Sequence, residues 1–181
     1  NYAYAQIEKV KSEYTSDYAR IMSKVNLNDT ELQSWKNTAD NMYFPFSEEH
    51  GVFLQQDGFL DKELVKVADL DKSQRPINQK WSWDRILRSP YIKQADTLQG
   101  FYFFEDDFTK EALERHFDFY EPFTVHESSL SPCVHSIQAA ALGRMEQAYT
   151  FYLRTSRLDL DDYNKEVHEG LHITSMAGTW M

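Results

Sequence analysis

Two adjacent hydroxyl side chains, Ser128 and Ser129, come just before a helix start that Ser131 and Pro132 mark. A proline in the first turn of a helix leaves backbone N–H groups without partners, and these groups favour an anion together with the helix macrodipole. Ser128 and Ser129 could therefore complete a cradle for phosphate or sulfate. On the local sequence alone, the commoner explanation of such hydroxyls is a simple helix cap.

A second candidate helix start lies near the end of the sequence, where His172 precedes Thr174 and Ser175. Either hydroxyl could act as the N-cap, and the imidazole would then stand beside another set of backbone N–H groups. The two helix starts could converge on a single oxyanion. A plain N-cap again explains the local sequence without any ligand.

Lys93 and Gln94 form another polar pair, within a segment that we predict to be helical from near Trp83 towards Phe104, with Pro90 in a first turn or at a kink. An ordinary exposed helix face, with Lys93 paired to Asp96, explains the pair locally. A sugar site would use the lysine as a donor to hydroxyl groups and the glutamine as both donor and acceptor. Aromatic residues make up 15% of the chain, but at helical spacing they are more often core than sugar platforms.

The sequence gives little support to a metal site. Residues 168–172 match the H-E-x-x-H pattern, but Gly170 weakens any helix through them, and the longer zinc pattern with a third histidine is absent. Cys133 is the only cysteine, so the chain forms no internal disulfide and no thiolate-rich metal site. We therefore expect neither a metal nor a cofactor.

Composition limits the class of protein and its partners. The chain has 181 residues, 41% of them apolar and 27% charged, which is enough for one domain with a core. A net charge of −10 argues against non-specific binding to nucleic acid or to anionic membranes. No apolar run is long enough to span a membrane, and the N-terminus lacks the layout of a signal peptide. We expect no nucleic-acid or membrane partner and a cytoplasmic location.

The scaffold that positions these groups is predicted to be all-α, because apolar residues recur mostly at intervals of three or four. The predicted helices cover about residues 2–24, 29–42, 83–104, 109–119 and 135–157 and a last segment that runs to the end. Residues 43–79 are predicted to form turns and short extended pieces. The sequence begins without an initiator methionine and ends within a helical pattern, so we expect a segment of a longer polypeptide.

Four runs of the sequence resemble glycoside hydrolase family 65, and above all its phosphorylases that act on maltose. The runs are residues 75–96, 119–122, 125–132 and 170–178, and the similarity covers nearly all of residues 55–181. The resemblance implies an (α/α)6 barrel as the catalytic domain. Residues 1–181 would be the C-terminal part of that domain, incomplete at both ends.

The resemblance also implies roles for the polar groups described above. Lys93 and Gln94 match the residues that bind the donor glucose, and Ser128, Ser129 and His172 match those that bind phosphate. The general-acid glutamate would lie upstream of residue 1, so this chain would hold no catalytic residue and would be inactive alone. The implied substrates are maltose or a related α-glucoside and inorganic phosphate, with no other cofactor, in a full-length homodimer.

The implied reaction is phosphorolysis with inversion, which yields β-glucose 1-phosphate and glucose. Two other hypotheses remain open at this point. Glu127, beside the proposed nucleophile site, could act as a base on water and make the protein an inverting α-glucosidase on the same fold. Alternatively, the chain is a non-catalytic carbohydrate-binding or scaffold segment, because the implied general acid and half of the barrel wall would lie outside it. Fold and neighbourhood alone do not define the chemistry.

Overall fold

The computed structural model describes residues 1–163 and 165–181. The fold of these residues is all-α, as predicted, with one small antiparallel hairpin. None of the described helices is long and apolar enough to cross a membrane. The elements are α1 (Tyr2–Glu13), α2 (Thr15–Val25), α3 (Asp29–Asp40), β1 (Phe46–Ser47), β2 (Val52–Phe53), α4 (Ile77–Lys80), α5 (Trp83–Arg88), α6 (Asp96–Phe103), α7 (Lys110–Tyr120), α8 (Ser131–Ala141), α9 (Met145–Ser156) and α10 (Ile173–Trp180).

The chain divides into two compact units, Asn1–Phe44 and Pro45–Met181. The first unit consists of α1, α2 and α3, where the sequence predicts two helices. The break falls at Tyr14, whose φ and ψ of −132° and 53° are not helical. Next to it the Thr15 hydroxyl donates to the Lys11 carbonyl, a contact that often bends helices. The second predicted helix is confirmed as α3, and Asn28 caps it by accepting from the Glu31 N–H.

The second unit is built around one apolar cluster. Its members come mainly from α6, α7, α8 and α9, and include the fully buried rings of Phe117 and Tyr120. The hairpin is tied to α7 by two hydrogen bonds at 2.7 Å, from the Phe53 N–H to His116 Nε2 and from the Tyr120 hydroxyl to the Phe53 carbonyl. Helix α7 begins where it is predicted to, because Thr109 Oγ1 accepts from the Ala112 N–H.

The long helix predicted from Trp83 to Phe104 is wrong in its middle. Helix α5 ends at Arg88 and α6 begins only at Asp96. Pro90 disfavours the helical region for the residue before it, and Ser89 is extended, with φ and ψ of −88° and 162°. Lys93 and Gln94 consequently lie in the connection between two helices and not on a helix face.

The helix predicted over residues 135–157 is likewise two helices, α8 and α9. Gly143, with φ of 79°, lies in the turn between them. Glycine adopts this left-handed conformation without the steric cost that other residues incur, so it commonly ends helices. The two helices pack along each other, and the Ser136 hydroxyl donates to the Ala148 carbonyl. This pair provides the surface on which α10 rests.

Helix α10 meets the first turn of α8 at Gly178. A Cβ atom on Gly178 would lie 2.6 Å from Cys133 Sγ and 2.9 Å from Cys133 Cβ, which is closer than such atoms approach. Gly178→Ala is therefore expected to destabilise the domain by about 1–3 kcal/mol through overpacking. Gly100→Ala, in α6, is the matched control, since nothing lies within 4 Å of its added Cβ and alanine is the better helix former.

Thermal unfolding of both variants in the full-length polypeptide tests this packing. We expect a lower melting temperature for Gly178→Ala and an unchanged or higher one for Gly100→Ala. Equal melting temperatures for the two variants would contradict a close approach of α10 to α8.

Candidate functional site

A parallel β-bridge brings two of the predicted polar segments together. Ile92 pairs with Thr124, the Ile92 N–H donates to the Phe123 carbonyl at 2.8 Å, and the Val125 N–H donates to the Ile92 carbonyl at 3.0 Å. Because the bridge is parallel, both segments leave it in the same direction. The segment with Lys93 and Gln94 and the segment that leads to Ser128 therefore start side by side.

Lys93 and Gln94 line a cleft of about 300 Å³. Lys93 is half-buried and Gln94 is exposed, and Lys93 Nζ lies 5.7 Å from the centre of the Trp83 ring. The other lining residues are Gln55, Gln56, Phe59, Lys62, Ile86, Leu87, Ser89, Tyr91, Ile92 and Asp96. Aromatic faces next to amide and amine groups can contact the C–H face of a sugar and hydrogen-bond its hydroxyls.

The serine pair lies at the predicted start of α8. The helix begins at Ser131 with Pro132 in its first turn, and its N-cap residue, Leu130, makes no side-chain cap hydrogen bond within the described chain. Ser128 is buried, and its hydroxyl oxygen accepts from the Leu130 N–H at 3.1 Å. Ser129 is only half-buried. Ser128 thus shapes the turn, and a serine hydroxyl of this kind still has a hydrogen to donate.

Glu127, the candidate base, is a buried carboxylate with both oxygens engaged. Oε1 accepts from Arg75 Nε at 2.9 Å, and Oε2 accepts from the Ile77 N–H at 2.7 Å. Arg75 also donates to the Val125 carbonyl at 2.6 Å. The carboxylate therefore holds the chain around Arg75 against the loop before the serines. This arrangement favours a positioning role for Glu127 over proton abstraction from water.

His172 is tied to an acid that sequence reasoning did not identify. Its Nδ1 lies 2.6 Å from Asp159 Oδ1, and its backbone N–H donates to Asp159 Oδ2 at 2.9 Å. Its Nε2 lies 3.8 Å from Glu166 Oε2, beyond hydrogen-bonding distance. Asp159 thus orients the ring through Nδ1 and leaves Nε2 as the nitrogen directed away from it.

The prediction that Thr174 or Ser175 caps the last helix is wrong. The N-cap is His172, and α10 begins at Ile173. Asp159 holds the backbone N–H of His172, so the helix begins at the next residue. The Ser175 hydroxyl donates instead to the Thr155 carbonyl at the end of α9. Residues 168–172 do not form one helix either, since a 3-10 turn ends at Glu169 and Gly170 follows it.

The contact between Asp159 and His172 predicts a dependence of stability on pH. Hydrogen bonds from His172 hold the pKa of the Asp159 carboxyl below its ordinary value of 3.8. A carboxyl with a lower pKa in the folded state stabilises the fold above its unfolded pKa, and this contribution is lost as pH falls through the folded value. The melting temperature of the full-length polypeptide should therefore exceed that of Asp159→Asn near neutral pH, and the difference should shrink below about pH 4.

An unchanged difference between wild type and Asp159→Asn down to about pH 3 would contradict this assignment. Asp84→Asn provides the control, because Asp84 and Arg88 form an exposed pair with 73% and 79% of their side chains accessible. Such exposed pairs contribute little to stability.

A polar cleft of about 450 Å³ lies between Glu127 and Glu166. It thus reaches from the residue next to Ser128 to the acid that faces His172. Its remaining lining residues are Arg75, Pro76, Asn78, Gln79, Lys80, Arg154, Tyr163 and Lys165. The Arg154 guanidinium stacks 3.8 Å from the centre of the Tyr163 ring and donates to the His126 carbonyl at 3.0 Å. The four cations of the cleft outnumber its two carboxylates, Glu127 and Glu166, and this excess of positive charge suits an anionic ligand.

The two candidate anion-binding helix starts belong to neighbouring helices. The contact between α8 and α10 runs through Gly178, the sixth residue of α10, and Cys133, the third residue of α8. His172 precedes that contact by six residues, which is about one and two-thirds helical turns or roughly 9 Å along the axis. The start of α8 therefore meets the body of α10 and not its first residue.

Sequence reasoning missed Arg75 and Asp159, which hold Glu127 and His172. Arg75 lies 52 residues before Glu127, and Asp159 lies 13 residues before His172. No helical or strand periodicity connects residues at such separations. The acidic run after Asp159 attracts attention only as a cluster of charges, and nothing in it indicates a histidine partner.

Comparison with known proteins identifies the family. The sequence model of the glycosyl hydrolase family 65 central catalytic domain matches residues 1–181, and the chain belongs to this family. It is an all-α portion of the barrel domain, as predicted. A solved structure described as a kojibiose phosphorylase from the human microbiome superimposes with a TM-score of 0.86 at 36% identity. That match covers 98% of this chain and 24% of the solved chain.

Curated relatives include several phosphorylases. Maltose phosphorylase of Bacillus subtilis (strain 168) is 56% identical over 157 residues, which are 87% of this chain and 21% of that protein. An α,α-trehalose phosphorylase of Thermoanaerobacter brockii is 43% identical over 179 residues, which are 99% of this chain and 23% of that protein. The chain thus spans about a fifth to a quarter of the length of the relatives it matches.

Proposed function

We propose that the polypeptide carrying this chain cleaves an α-glucosidic disaccharide, most favourably maltose, by phosphorolysis with inversion. A phosphate oxygen forms a bond to the anomeric carbon while the glycosidic C–O bond breaks, and the departing glucose oxygen takes a proton from a general acid outside this chain. The products are β-glucose 1-phosphate and glucose. This chain supplies groups that bind the donor sugar and phosphate.

The observation that carries the proposal is the 56% identity to maltose phosphorylase together with matches to trehalose and kojibiose phosphorylases. These relatives differ in the disaccharide in their names but share phosphorolysis. Maltose is the preferred substrate because the identity to maltose phosphorylase is 13 percentage points above that to the trehalose enzyme, 56% against 43%. The choice of maltose, and with it the linkage that is cleaved, therefore rests on this difference in identity alone.

The residues have distinct roles in the proposed reaction. Lys93 and Gln94 hydrogen-bond the donor glucose in the cleft beside Trp83. Ser128, Ser129 and the Nε2 of His172 hold phosphate in line with the anomeric carbon. Phosphate is already an anionic nucleophile, so it needs positioning and not deprotonation, and good positioning can lower a barrier by about 7–11 kcal/mol.

Hydrolysis with Glu127 as base is the competing function. An inverting hydrolase needs a carboxylate that activates water on the far side of the sugar ring. Both oxygens of Glu127 instead accept hydrogen bonds from Arg75 and Ile77. This geometry supports phosphorolysis over hydrolysis.

Product analysis of the full-length polypeptide with maltose distinguishes the functions. We expect equal amounts of glucose and β-glucose 1-phosphate when inorganic phosphate is present, and negligible cleavage when it is omitted. Release of two glucose molecules without phosphate would establish a glucosidase. No cleavage of maltose, trehalose or kojibiose under either condition would support a non-catalytic segment.

A further inference from the structure

Three potential metal ligands converge beside the loop that contains Ser128 and Ser129, called here the serine loop. Glu121 begins the 3-10 turn that follows α7, His126 lies in the loop before Ser128, and His135 lies on α8. Glu121 Oε2 is 3.1 Å from His126 Nε2 and 3.3 Å from His135 Nε2. One ligand atom from each residue falls within 4.8 Å of the others.

The tautomer of His135 leaves two hydrogen-bond acceptors facing each other in this cluster. His135 is fully buried, and its Nδ1 lies 2.9 Å from the Ser131 carbonyl, an acceptor, so Nδ1 carries the hydrogen. The Nε2 lone pair then points towards Glu121 Oε2, another acceptor. His135 Nε2 is buried and makes no hydrogen bond to any residue that the structure describes. An unpaired buried polar atom costs about 1–3 kcal/mol.

A proton on His135 is a poor solution to this conflict. The ring is fully buried, and burial disfavours the charged imidazolium. A neutral imidazole is also the form that binds metals. A cation between Nε2 and the carboxylate would satisfy both acceptors at once.

We propose that Glu121, His126 and His135 form a binding site for a divalent transition metal, with Zn²⁺ as the best fit. Two imidazole nitrogens and one carboxylate oxygen are a common protein ligand set for Zn²⁺, with water in the fourth position. The Nδ1 atoms have the outer partners that orient metal-bound histidines. These are the Ser131 carbonyl for His135 and the Ser131 hydroxyl, at 3.4 Å, for His126.

The surroundings allow a cation to reach the site. Glu121 is 27% exposed and lines a surface groove with Arg144, Met145, Glu146, Gln147, Thr150 and Phe151. The charge of Arg144 is paired with Glu114 and Asp118. The Phe151 ring also contacts the rings of His126 and His135, at centroid distances of 4.7 Å and 5.4 Å. An apolar wall against the imidazoles and a carboxylate open to the groove together form a half-closed pocket.

The metal would act on the serine loop by fixing its ends. His126 has a φ of 52°, a left-handed conformation that is unfavourable for a residue with a side chain, and it lies two residues before Ser128. A metal bound to His126, to the end of α7 and to α8 would hold this conformation. The site is structural, and metal binding itself does not depend on whether the protein is a phosphorylase.

Metal binding is tested by titrating the metal-free, full-length polypeptide with Co²⁺ as a spectroscopic substitute for Zn²⁺. We expect saturable binding of one ion, visible d–d absorption typical of a four-coordinate site, and displacement by Zn²⁺. Zn²⁺ should also raise the melting temperature. Absence of saturable binding would overturn the proposal.

Matched variants locate the binding. Glu121→Gln keeps the shape of the side chain and provides an amide N–H for His135 Nε2, so it should retain the fold while weakening Co²⁺ binding at least about 10-fold. His168→Gln is the control. The side chain of His168 is 74% exposed, and its one ion-pair partner in the described chain is the neighbouring Glu169. Its binding should be unchanged.

Two results would contradict the assignment. One is Co²⁺ affinity that is equal in wild type and Glu121→Gln, and the other is affinity lost in His168→Gln. If Glu121→Gln fails to fold, His126→Gln takes its place, because His126 is 17% exposed at its side chain and lies in a loop. It carries the same expectation of weaker binding.

Discussion

Replacing Ser128 and Ser129 together by alanine is expected to raise the KM for phosphate by about 10- to 100-fold, with a far smaller change in the KM for maltose. The reason is that a hydrogen bond to a charged partner contributes about 1.5–3 kcal/mol, and each 1.4 kcal/mol is tenfold in affinity. Initial-rate kinetics of the full-length polypeptide with both substrates varied measures the two constants.

Single variants separate binding from loop structure. Ser129 is half-buried, whereas Ser128 is buried and also accepts from the Leu130 N–H. Ser129→Ala should therefore raise the KM for phosphate without lowering the melting temperature, while Ser128→Ala should do both. Ser136→Ala, on α8, is the control for KM. The Ser136 hydroxyl donates to the Ala148 carbonyl, so its loss should leave the KM for phosphate unchanged. Equal increases in the KM for phosphate and for maltose would refute the phosphate role.

Glu127→Ala is expected to destabilise the domain by about 1–3 kcal/mol, the usual cost of leaving a buried hydrogen-bonding group without its partner, since the Arg75 side chain is 35% exposed and water can solvate its charge. Arg75 would lose its carboxylate partner, and the N–H of Ile77, a fully buried residue, would lose its acceptor. Thermal unfolding of the full-length variant measures the effect as a large fall in melting temperature.

The control for Glu127→Ala is Asp84→Ala, which breaks the exposed pair with Arg88. Exposed pairs contribute about 0–1 kcal/mol, so this variant should unfold close to wild type. Glu127→Gln distinguishes positioning from base catalysis. An unaltered melting temperature together with complete loss of maltose cleavage would show that Glu127 takes part in the chemistry and not in holding the loop.

Local signals predicted the parts of the fold that local interactions determine. Thr109 before α7 and Pro132 at the start of α8 were identified correctly, because capping and proline geometry act within one helical turn. The single helices predicted across Pro90 and Gly143 were wrong. Pro90 predicts only a first turn or a kink, whereas no helix connects Arg88 to Asp96. At Gly143 the helical spacing of the sequence continues through the turn that the glycine forms.

The geometry of the site depends on contacts that no local pattern contains. The bridge between Ile92 and Thr124 places Lys93 beside the segment that leads to Ser128, although the paired residues are separated by 32 positions, 124 minus 92. Asp159 orients His172 in the same long-range way. The family resemblance identifies the candidate binding residues from the sequence, but only the folded structure shows which residues contact them.

The proposed metal ligands give no signal in the sequence, for a related reason. Glu121, His126 and His135 are spaced by five and nine residues, which matches no short zinc motif. The H-E-x-x-H match at residues 168–172 was the visible signal, and the chain does not fold there as one helix. The cluster becomes apparent only when the 3-10 turn, the loop and α8 are packed together.

The central claim is that Ser128, Ser129 and His172 bind phosphate. A crystal structure of the full-length polypeptide with inorganic phosphate tests it most directly. We predict the anion within hydrogen-bonding distance of Ser129 Oγ and His172 Nε2, at the side of α8 where that helix begins. Phosphate bound elsewhere in the barrel, with these three side chains directed away from it, would contradict the claim.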